Sequence, residues 1–309
     1  MTNIHDIAKL SGYSVGTVSR VLNDARYVSQ PARHAVMRAI KATGYVPNHM
    51  AQALSVGSMK TIGIVVPDIE QPMYNTLLKG AAQYAQAHQH QVILLQSGYD
   101  QAAEHQFLHA LRNHTVDGLI FSSHELPLSE IVEALAFGPI VVCQDPHNIS
   151  IPAVYPERIN SYISAFNWCH AQQLKRIGLV LGRSVTVSAT SQAIRQAYRQ
   201  VFARPPFTEL SGIMTFAQGY ANAKQLFRAQ VDAVLTSSDD VGAGISEWFC
   251  EHQQKAPVII GQDRQLSGQL LNLPTVDHHI ESLGQQAMAA LINGQAGKVE
   301  LPSEFCLHR

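Results

Sequence analysis

The sequence predicts a small all-α head followed by an α/β body of two lobes, each built on a doubly wound parallel sheet. Helical periodicity dominates the first 46 residues, whereas short apolar runs alternate with amphipathic helical stretches from residue 61 onward. The 249 residues of this second part, 61–309, exceed what one hydrophobic core usually holds. We therefore expect two cores with a cleft between them.

The head is predicted to contain three short helices around one small core. The first helix has an apolar face formed by Ile4, Ile7, Ala8 and Leu10. A small-residue turn at 11–13 leads to Ser14, which caps the second helix. The third helix begins at the cap Ser29, carries Pro31 in its first turn and ends at Gly44. The first two helices and their turn form the pattern of a helix-turn-helix motif.

The second helix is predicted to present a nucleic-acid-reading surface. Its inward face is formed by Val18, Val21 and Leu22. The opposite, N-terminal side is the one that enters the major groove in helix-turn-helix proteins. Arg20 is the main candidate for a base contact, because its planar fork can bond guanine O6 and N7 together. Val15 can contact a thymine methyl group, and Gly16 allows close approach of the backbone. Thr17 and Ser19 are expected to bond phosphates.

Charge is distributed unevenly along the chain. Residues 1–60 hold seven Lys or Arg against Asp6 and Asp24, a net charge of 7 − 2 = +5. The remaining 249 residues hold 15 basic and 21 acidic side chains, a net charge of −6. A basic head on an acidic body is the pattern of phosphate binding confined to one end. Motif and charge together predict that the head binds DNA.

Several runs extend this pattern: Asp6-Ile7-Ala8, the run from Ser14 to Asn23, Gly44-Tyr45-Val46-Pro47-Asn48 with Ala51 and Leu54, and then residues 61–68. In these runs the chain resembles the LacI/GalR family of bacterial transcription regulators, with a reading helix of the galactose-repressor type. The resemblance implies a sequence-specific regulator, expected to be a repressor of carbohydrate genes, bound as a homodimer to a pseudo-palindromic operator. It also implies the DNA-contacting residues Ser14, Val15, Gly16, Thr17, Ser19, Arg20, Asn23, Tyr45, Asn48, Ala51 and Leu54.

The segment after the head is predicted to order only when it is held. Asn48 can cap residues 49–56, but this stretch is below the roughly 12 residues that an isolated helix needs. Taken alone, these residues favour a flexible linker with one exposed leucine. The family resemblance favours a hinge helix that pairs with its copy in the minor groove, where Leu54 enters between base pairs and kinks the duplex. The expected domains are 1–46 (head), 47–60 (hinge and linker) and 61–309 (effector binding and dimerisation).

The body resembles the periplasmic-binding-protein fold. Strands are predicted at 61–67, 91–95, 116–121, 140–143, 176–181, 231–236 and 257–261, and helices at 72–89, 100–113, 127–136, 190–203, 218–229 and 240–253. Lobe 1 is expected to span about 61–155 plus part of the C-terminal segment, and lobe 2 about 160–277. Ligands of open parallel sheets bind at the carboxyl ends of the strands, which places the predicted effector site in the cleft between the lobes.

Five residues are candidates for effector binding. Asp239 and Asp263 follow predicted strands, and Arg195 matches a family arginine that bonds effector hydroxyls. Tyr74 and Tyr99 can stack on a sugar or base face. A helix-cap role is an equal alternative for Asp239, and packing is the favoured alternative for the tyrosines. The sequence departs from the family at 155–158, at 195–199 and at 144–145. The expected effector therefore remains a carbohydrate by class, with a phosphorylated sugar or a nucleobase as alternatives.

Other features indicate neither catalysis nor cofactors. Four cysteines without paired spacing, and no export signal, predict a reducing cytoplasm with the thiols in the core. The pairs His88/His90 and His278/His279 form no closed metal-ligand set and are expected to be solvated. No membrane association and no enzymatic motif is predicted. The alternatives to a regulator are a transport-type sugar-binding protein and an architectural DNA-binding protein without a ligand.

Overall fold

The computed structural model describes residues 2–23, 25, 27–46 and 59–307. The head contains helices α1 (Ile4–Ser11), α2 (Val15–Leu22) and α3 (Gln30–Thr43). Its core is formed by Ile7, Val18, Val21, Val36 and Ala39. Helical spacing explains which side of α1 is buried: Ile4, Ile7 and Ala8 lie on one face, whereas Leu10 is 63% exposed. The prediction that Leu10 joins the apolar face is therefore wrong.

The helix boundaries in the head follow local chemistry. Ser14 caps α2 by accepting the Thr17 N–H at 3.2 Å. Ser29 occupies the cap position of α3 without a side-chain cap bond, and Pro31 lies in the first turn. Gly44 ends α3 with φ +62°, a left-handed conformation that glycine adopts without strain.

Lobe 1 is a six-stranded sheet covered on both faces. Its strands are β1 (Thr61–Val66), β2 (Gln91–Gln96), β3 (Gly118–Phe121), β4 (Ile140–Val142), β5 (Ala153–Pro156) and β11 (Lys298–Leu301). They pair in the order β11-β5-β4-β3-β1-β2, and all pairs are parallel. Its helices are α4 (Pro72–Ala87), α5 (Gln101–Arg112), α6 (Leu128–Glu133) and α12 (Ile280–Ile292). Ile64 and its neighbour Val65 enter different clusters, because successive strand residues face opposite sides.

Lobe 2 repeats the plan with one reversed strand. Its strands are β6 (Ile177–Leu181), β7 (Thr208–Ser211), β8 (Ala233–Leu235), β9 (Val258–Gln262), β10 (Thr275–Asp277) and β12 (Glu304–Cys306). The order is β12-β10-β9-β8-β6-β7, and β12 is antiparallel to β10. Its helices are α7 (Ile159–Ala171), α8 (Ala189–Phe202), α9 (Phe216–Ala229), α10 (Asp239–Glu251) and α11 (Leu266–Leu270). The predicted class, a helical head with two doubly wound lobes, is confirmed.

The chain passes between the lobes at 156–159, 277–280 and 301–304. In each lobe one helix pair packs closely through glycine. In lobe 1, α4 meets α12 where Gly80 and Gly284 lie against backbone, and a Cβ on Gly284 would lie 2.0 Å from the Leu77 carbonyl oxygen. The absence of a side chain permits this approach. Within the described residues, no helix has the length and apolar character that spanning a bilayer requires.

Candidate functional site: a helical reading surface and an interlobe cleft

The head exposes the N-terminal side of α2. Gly16 and Arg20 are exposed, and Val15, Thr17 and Ser19 are half-buried, because Val18 and Val21 of the same helix enter the core. The Arg20 guanidinium lies over Gly16, since a Cβ on Gly16 would be 3.8 Å from Nη2. Ser14 is engaged in the cap, and its hydroxyl lies 3.0 Å from that of Thr17. This surface combines a planar cation with small and hydroxyl side chains, which suits contact with base edges and phosphates.

The other predicted DNA contacts lie at the edge of the head or beyond it. Asn23 follows α2 as its C-terminal cap residue and is exposed. Tyr45 packs in part against the head core. Asn48, Ala51 and Leu54, with the predicted hinge helix, lie outside the described residues.

A cleft of about 570 Å³ separates the two lobes at the carboxyl ends of their strands. Lobe 1 contributes Tyr74, Tyr99, Ser122, Ser123, His124, Gln144 and Asp145. Lobe 2 and the crossing segment contribute Arg158, Arg183, Ser188, Ser191, Met214, Ser237, Gln262 and Asp263, among others. Hydroxyl, amide and charged groups from both lobes are mixed with apolar surface in this lining, so the cleft can hydrogen-bond a small molecule from two sides.

Asp263 lies in the cleft, as the sequence predicted. It follows β9 with φ +75°, and its Oδ1 is buried without a hydrogen-bond partner among the described residues. Burial raises the pKa of Asp263 to about 7, while the Arg158 guanidinium acts in the opposite direction. The carboxyl group is thus available to accept or donate a hydrogen bond near neutral pH.

A buried network supports this end of the cleft. Gln262 Oε1 accepts the Tyr162 hydroxyl at 2.6 Å, and its Nε2 donates to the Thr236 carbonyl at 2.6 Å. His278 Nε2 lies 3.1 Å from the Tyr162 hydroxyl and 3.2 Å from Gln262 Oε1. Burial lowers the pKa of His278 well below its usual value, so the ring is neutral. These contacts hold Gln262 and the adjacent Asp263 in place.

Tyr74 and Tyr99 both reach the cleft, but neither presents a free ring. Tyr74 is only 3% exposed and packs in the lobe 1 core, with its hydroxyl 3.3 Å from that of Tyr99. One face of Tyr99 is covered by the Arg183 guanidinium, whose Cζ lies 3.7 Å from the ring centroid. Arg183 belongs to the opposite lobe. Tyr99 therefore stacks on a protein cation across the cleft.

Arg183 also forms an ion pair with Glu125 of lobe 1. The loop that carries Glu125 is held by Glu104 of α5, which is fully buried. The Glu104 carboxylate accepts the N–H groups of Glu125 and Leu126 at 2.9–3.0 Å. The Arg183 carbonyl in turn accepts the Ser191 hydroxyl at 2.7 Å. Both partners of this interlobe pair are thus anchored to their own lobes.

Asp239 does not line the cleft, contrary to the prediction. Ser238 is the cap of α10, and Asp239, the next residue, turns into lobe 2 with no exposed surface. Its carboxylate accepts the Gln265 N–H at 2.6 Å and the Thr275 hydroxyl at 2.8 Å. Asp239 therefore joins α10 to the α11 region and to β10. The residues that reach the cleft after β8 are Ser237 and Ser238.

Arg195 also points away from the cleft. The inward face of α8 carries Ser191, Ile194 and Tyr198, and Arg195 lies on another side of the helix. There it forms a two-pronged ion pair with Glu209 of β7, in which Nε donates to Oε2 at 3.1 Å. The pair joins α8 to the edge strand of lobe 2. The expectation of a cleft-facing arginine is met by Arg183 and Arg158 instead.

Two of the weaker sequence expectations also need correction. His278 is buried in the network described above and is not solvated, whereas His88 is exposed and stacks on Tyr84. Cys143 and Cys169 are buried, but Cys250 is exposed.

Asp277, His279 and Glu304 bring ligand atoms within 4.8 Å of one another. Arg264 approaches Asp277 at 3.7 Å, and we assign the group to ion pairing.

Sequence reasoning missed Arg183, Glu125 and His124, although a signal was present. Arg183 lies two residues after the end of β6, and His124 and Glu125 lie three and four residues after the end of β3. These residues lie in loops at the carboxyl ends of strands, and the same kind of position identified Asp263 as a candidate. The ion pair of Arg183 with Glu125 joins two different lobes. Spacing along the chain does not reveal such a contact.

Comparison with known proteins assigns the chain to a family. A model of the bacterial regulatory proteins of the LacI family matches residues 3–48, and a model of the periplasmic binding proteins and sugar binding domain of the LacI family matches residues 59–299. Catabolite control protein B of Bacillus subtilis (strain 168) is 28% identical over 99% of this chain and 99% of its own length. The ribose operon repressor of Halalkalibacterium halodurans is 30% identical over 94% and 90%, respectively.

The fold is shared with a solved structure of the Lac repressor dimer bound to operator and the anti-inducer ONPF. The TM-score is 0.83 at 21% sequence identity, over 98% of this chain and 97% of that one. The second family model spans most of the chain and covers both lobes, and the first covers the helical head. The chain belongs to the LacI family of bacterial regulatory proteins.

Proposed function

We propose that the protein is a homodimeric transcriptional repressor of carbohydrate genes, which binds a pseudo-palindromic operator and responds to a small carbohydrate in the interlobe cleft. The observation that carries this proposal is the joint presence, in one chain, of the exposed α2 surface and the 570 Å³ cleft with hydrogen-bonding groups from both lobes. A transport-type sugar-binding protein would leave the basic head without a role. An architectural DNA-binding protein would leave the cleft without one.

In the proposed reading mode, α2 of each copy enters a major groove. Arg20 contacts a base pair, while Ser14, Thr17, Ser19 and Asn23 fix the register on phosphates. Val15 and Gly16 allow close apolar contact with base edges. By resemblance, Tyr45 and Asn48 also contact DNA, and Ala51 and Leu54 belong to a minor-groove hinge. A helix-turn-helix dimer reads two half-sites related by its own symmetry, which is why we propose a pseudo-palindrome.

The cleft is proposed to hold the effector. Asp263 offers a carboxyl group whose pKa of about 7 suits hydrogen bonding to hydroxyls in either protonation state. Serine and glutamine side chains from both lobes add further partners. The relatives named as sugar-operon regulators support a carbohydrate. Effector binding between the lobes is expected to change operator affinity by a coupling of about 1–3 kcal/mol.

We further propose a regulatory and not a catalytic role for the cleft, and a cytoplasmic location, where operator DNA is found. A Tyr74–Tyr99 pair engaged by Arg183 is proposed to form one wall of the site, without ring stacking on the ligand. Asp239 and Arg195 are left out of the proposed effector contacts because the structure engages them inside lobe 2.

The test is selection of bound sites from genomic fragments, followed by affinity measurement on the recovered sequence and its single-base variants. Arg20→Ala is expected to lose about 1–3 kcal/mol of discrimination at one position of each half-site. The matched control is Arg38→Ala, which removes an equal charge from the exposed side of α3. It is expected to weaken binding evenly across sequences.

Two results would contradict the proposal. One is an absence of preference for any recovered site over random duplex at near-physiological salt. The other is an unchanged base preference in Arg20→Ala, which would remove Arg20 from the reading surface. Repeating the selection with carbohydrates present tests the effector, since a bound effector must shift the affinity for the selected site.

A further inference from the structure

We infer that the ion pair of Glu125 with Arg183, stacked on Tyr99, makes the cleft selective for an uncharged effector and excludes phosphorylated ones. This inference rests on the proposed function and narrows the class of ligand. It concerns three residues that come from both lobes and meet across the opening of the cleft.

Arg183 would be the natural anion receptor of the site, because a guanidinium binds a phosphate through two parallel N–H groups. In this protein the guanidinium is already engaged in two ways. Its Nη2 donates to the Glu125 carboxylate, and its flat face covers the Tyr99 ring at 3.7 Å. The Arg183 side chain is only 17% exposed. A phosphate would have to displace a carboxylate that is already in contact.

The remaining charges of the cleft also oppose an anion. Its lining carries the carboxyl groups of Asp145, Glu157, Asp263 and Glu300. The cations that line it are Arg158 and Arg183, and Lys298 beside it lies 3.6 Å from Asp145. Asp263 is left out of the charge count because its pKa is about 7. With Glu125 included, four carboxylates still face these three cations. The positive charge of Arg158 acts on Asp263, whose pKa it lowers against the effect of burial. This excess of negative charge disfavours the entry of a phosphate dianion.

The pair is held rigidly, so it does not open easily to admit an anion. Glu104 fixes the backbone of Glu125 through hydrogen bonds to consecutive N–H groups, and Ser191 fixes the carbonyl of Arg183. A buried carboxylate that satisfies backbone N–H groups is well suited to position a loop. Glu104 is thus a positioning residue for the selective pair.

The experiment compares the wild-type chain with Glu125→Gln, which keeps the shape but removes the carboxylate charge. Thermal unfolding is followed with inorganic phosphate and with glucose 6-phosphate, at ionic strength matched with KCl. The wild type is expected to show no stabilisation beyond the general salt effect. Glu125→Gln is expected to gain at least about tenfold in affinity for inorganic phosphate, seen as ligand-dependent stabilisation.

The matched control is Glu130→Gln. Glu130 is an exposed carboxylate of α6 that pairs with His105 at 3.4 Å and does not line the cleft. It reports the nonspecific effect of phosphate on a chain with the same net charge. The double variant Glu125→Gln/Arg183→Gln removes the freed cation and is expected to lose the gained phosphate affinity.

The outcomes are distinct. Phosphate binding by Glu125→Gln alone supports the inference. Stabilisation of the wild type by inorganic phosphate or glucose 6-phosphate beyond that given by KCl at the same ionic strength overturns it. Failure of Glu125→Gln to gain phosphate affinity also overturns it. These readouts need no DNA, so a failure of the proposed operator binding is observed separately in the site selection.

Discussion

Replacing Asp239 by asparagine is expected to stabilise lobe 2 at and above neutral pH. Burial raises the pKa of this carboxyl group from its ordinary 3.8 to about 7. The group binds its proton more tightly in the folded state, so its contribution to stability is fully present below about pH 4. That contribution is lost as pH rises through the interval from about 4 to about 7.

The magnitude follows from the width of that interval. A difference of about three pH units corresponds to about 4 kcal/mol of lost stability above pH 7. Asparagine carries no charge and has the same shape, which matters because Gly261 and Gly268 enclose the carboxyl group tightly. Its amide can accept the Gln265 N–H and donate to the Thr275 hydroxyl, where the carboxylate now accepts both.

The assay is urea denaturation followed by tryptophan fluorescence between pH 4.5 and pH 8. Both tryptophans of the chain, Trp168 and Trp248, lie in lobe 2, in α7 and α10, so the signal reports the lobe that contains Asp239. The difference in unfolding free energy between Asp239→Asn and wild type should grow in favour of the variant as pH rises, by about 3 kcal/mol over this range.

Asp232→Asn is the control of opposite sign in the same lobe. Burial acts to raise the pKa of Asp232, but hydrogen bonds from the Arg176 and Lys175 backbone and the Arg176 side chain outweigh it and lower the pKa. The carboxylate's stabilising contribution is present above the unfolded pKa and is lost as pH falls. Asp232→Asn should therefore have a lower free energy of unfolding than the wild type at pH 8. If Asp239→Asn is destabilised to the same extent at every pH, the carboxyl group is not held at a raised pKa and the reasoning fails.

Two further predictions concern packing and the corrected role of an arginine. Gly284→Ala places a methyl group 2.0 Å from the Leu77 carbonyl oxygen, so α4 and α12 must separate. We expect a loss of about 1–3 kcal/mol in lobe 1, measured by thermal unfolding, and an unchanged midpoint would contradict this close approach. Arg195→Ala breaks the partly exposed pair with Glu209, at a cost of about 1 kcal/mol or less, and should leave the effector dependence of operator binding unchanged. A lost effector response with intact folding would restore Arg195 to the cleft.

The strong periodic segments of the body were predictable, and the weak ones were not. The buried runs that became β1, β3 and β6 are continuous apolar stretches, the pattern of central parallel strands. The edge strands β7 and β11 have half-buried or exposed residues, including Glu209 and Lys298, and their sequences carry no comparable signal. Such strands form because a neighbouring strand offers unpaired backbone groups, which is a tertiary condition.

Some residues of the candidate effector site were predictable from the sequence and others were not. Asp263 was found because it follows a strong strand, and the carboxyl ends of parallel strands share one edge. Asp239 also follows a strand, but α10 is capped by Ser238 and begins at Asp239 itself. In that position the Asp239 side chain turns inward. A helix start is uncertain by a residue or two from sequence, and that shift is enough to exchange a cleft position for a buried one.

The amino-acid sequence by itself determined the class of molecule: a basic helical reader, with Arg20 on its exposed side, joined to a two-lobed α/β sensor. It did so because helical and strand periodicity, caps and charge are local properties. Only the tertiary structure decided which side chains line the cleft. Arg183 of lobe 2 contacts Glu125 and Tyr99 of lobe 1, whereas Arg195 pairs with Glu209 away from the cleft. Contacts between side chains that are far apart in the chain depend on how whole lobes are placed, and that placement is set by packing over many residues.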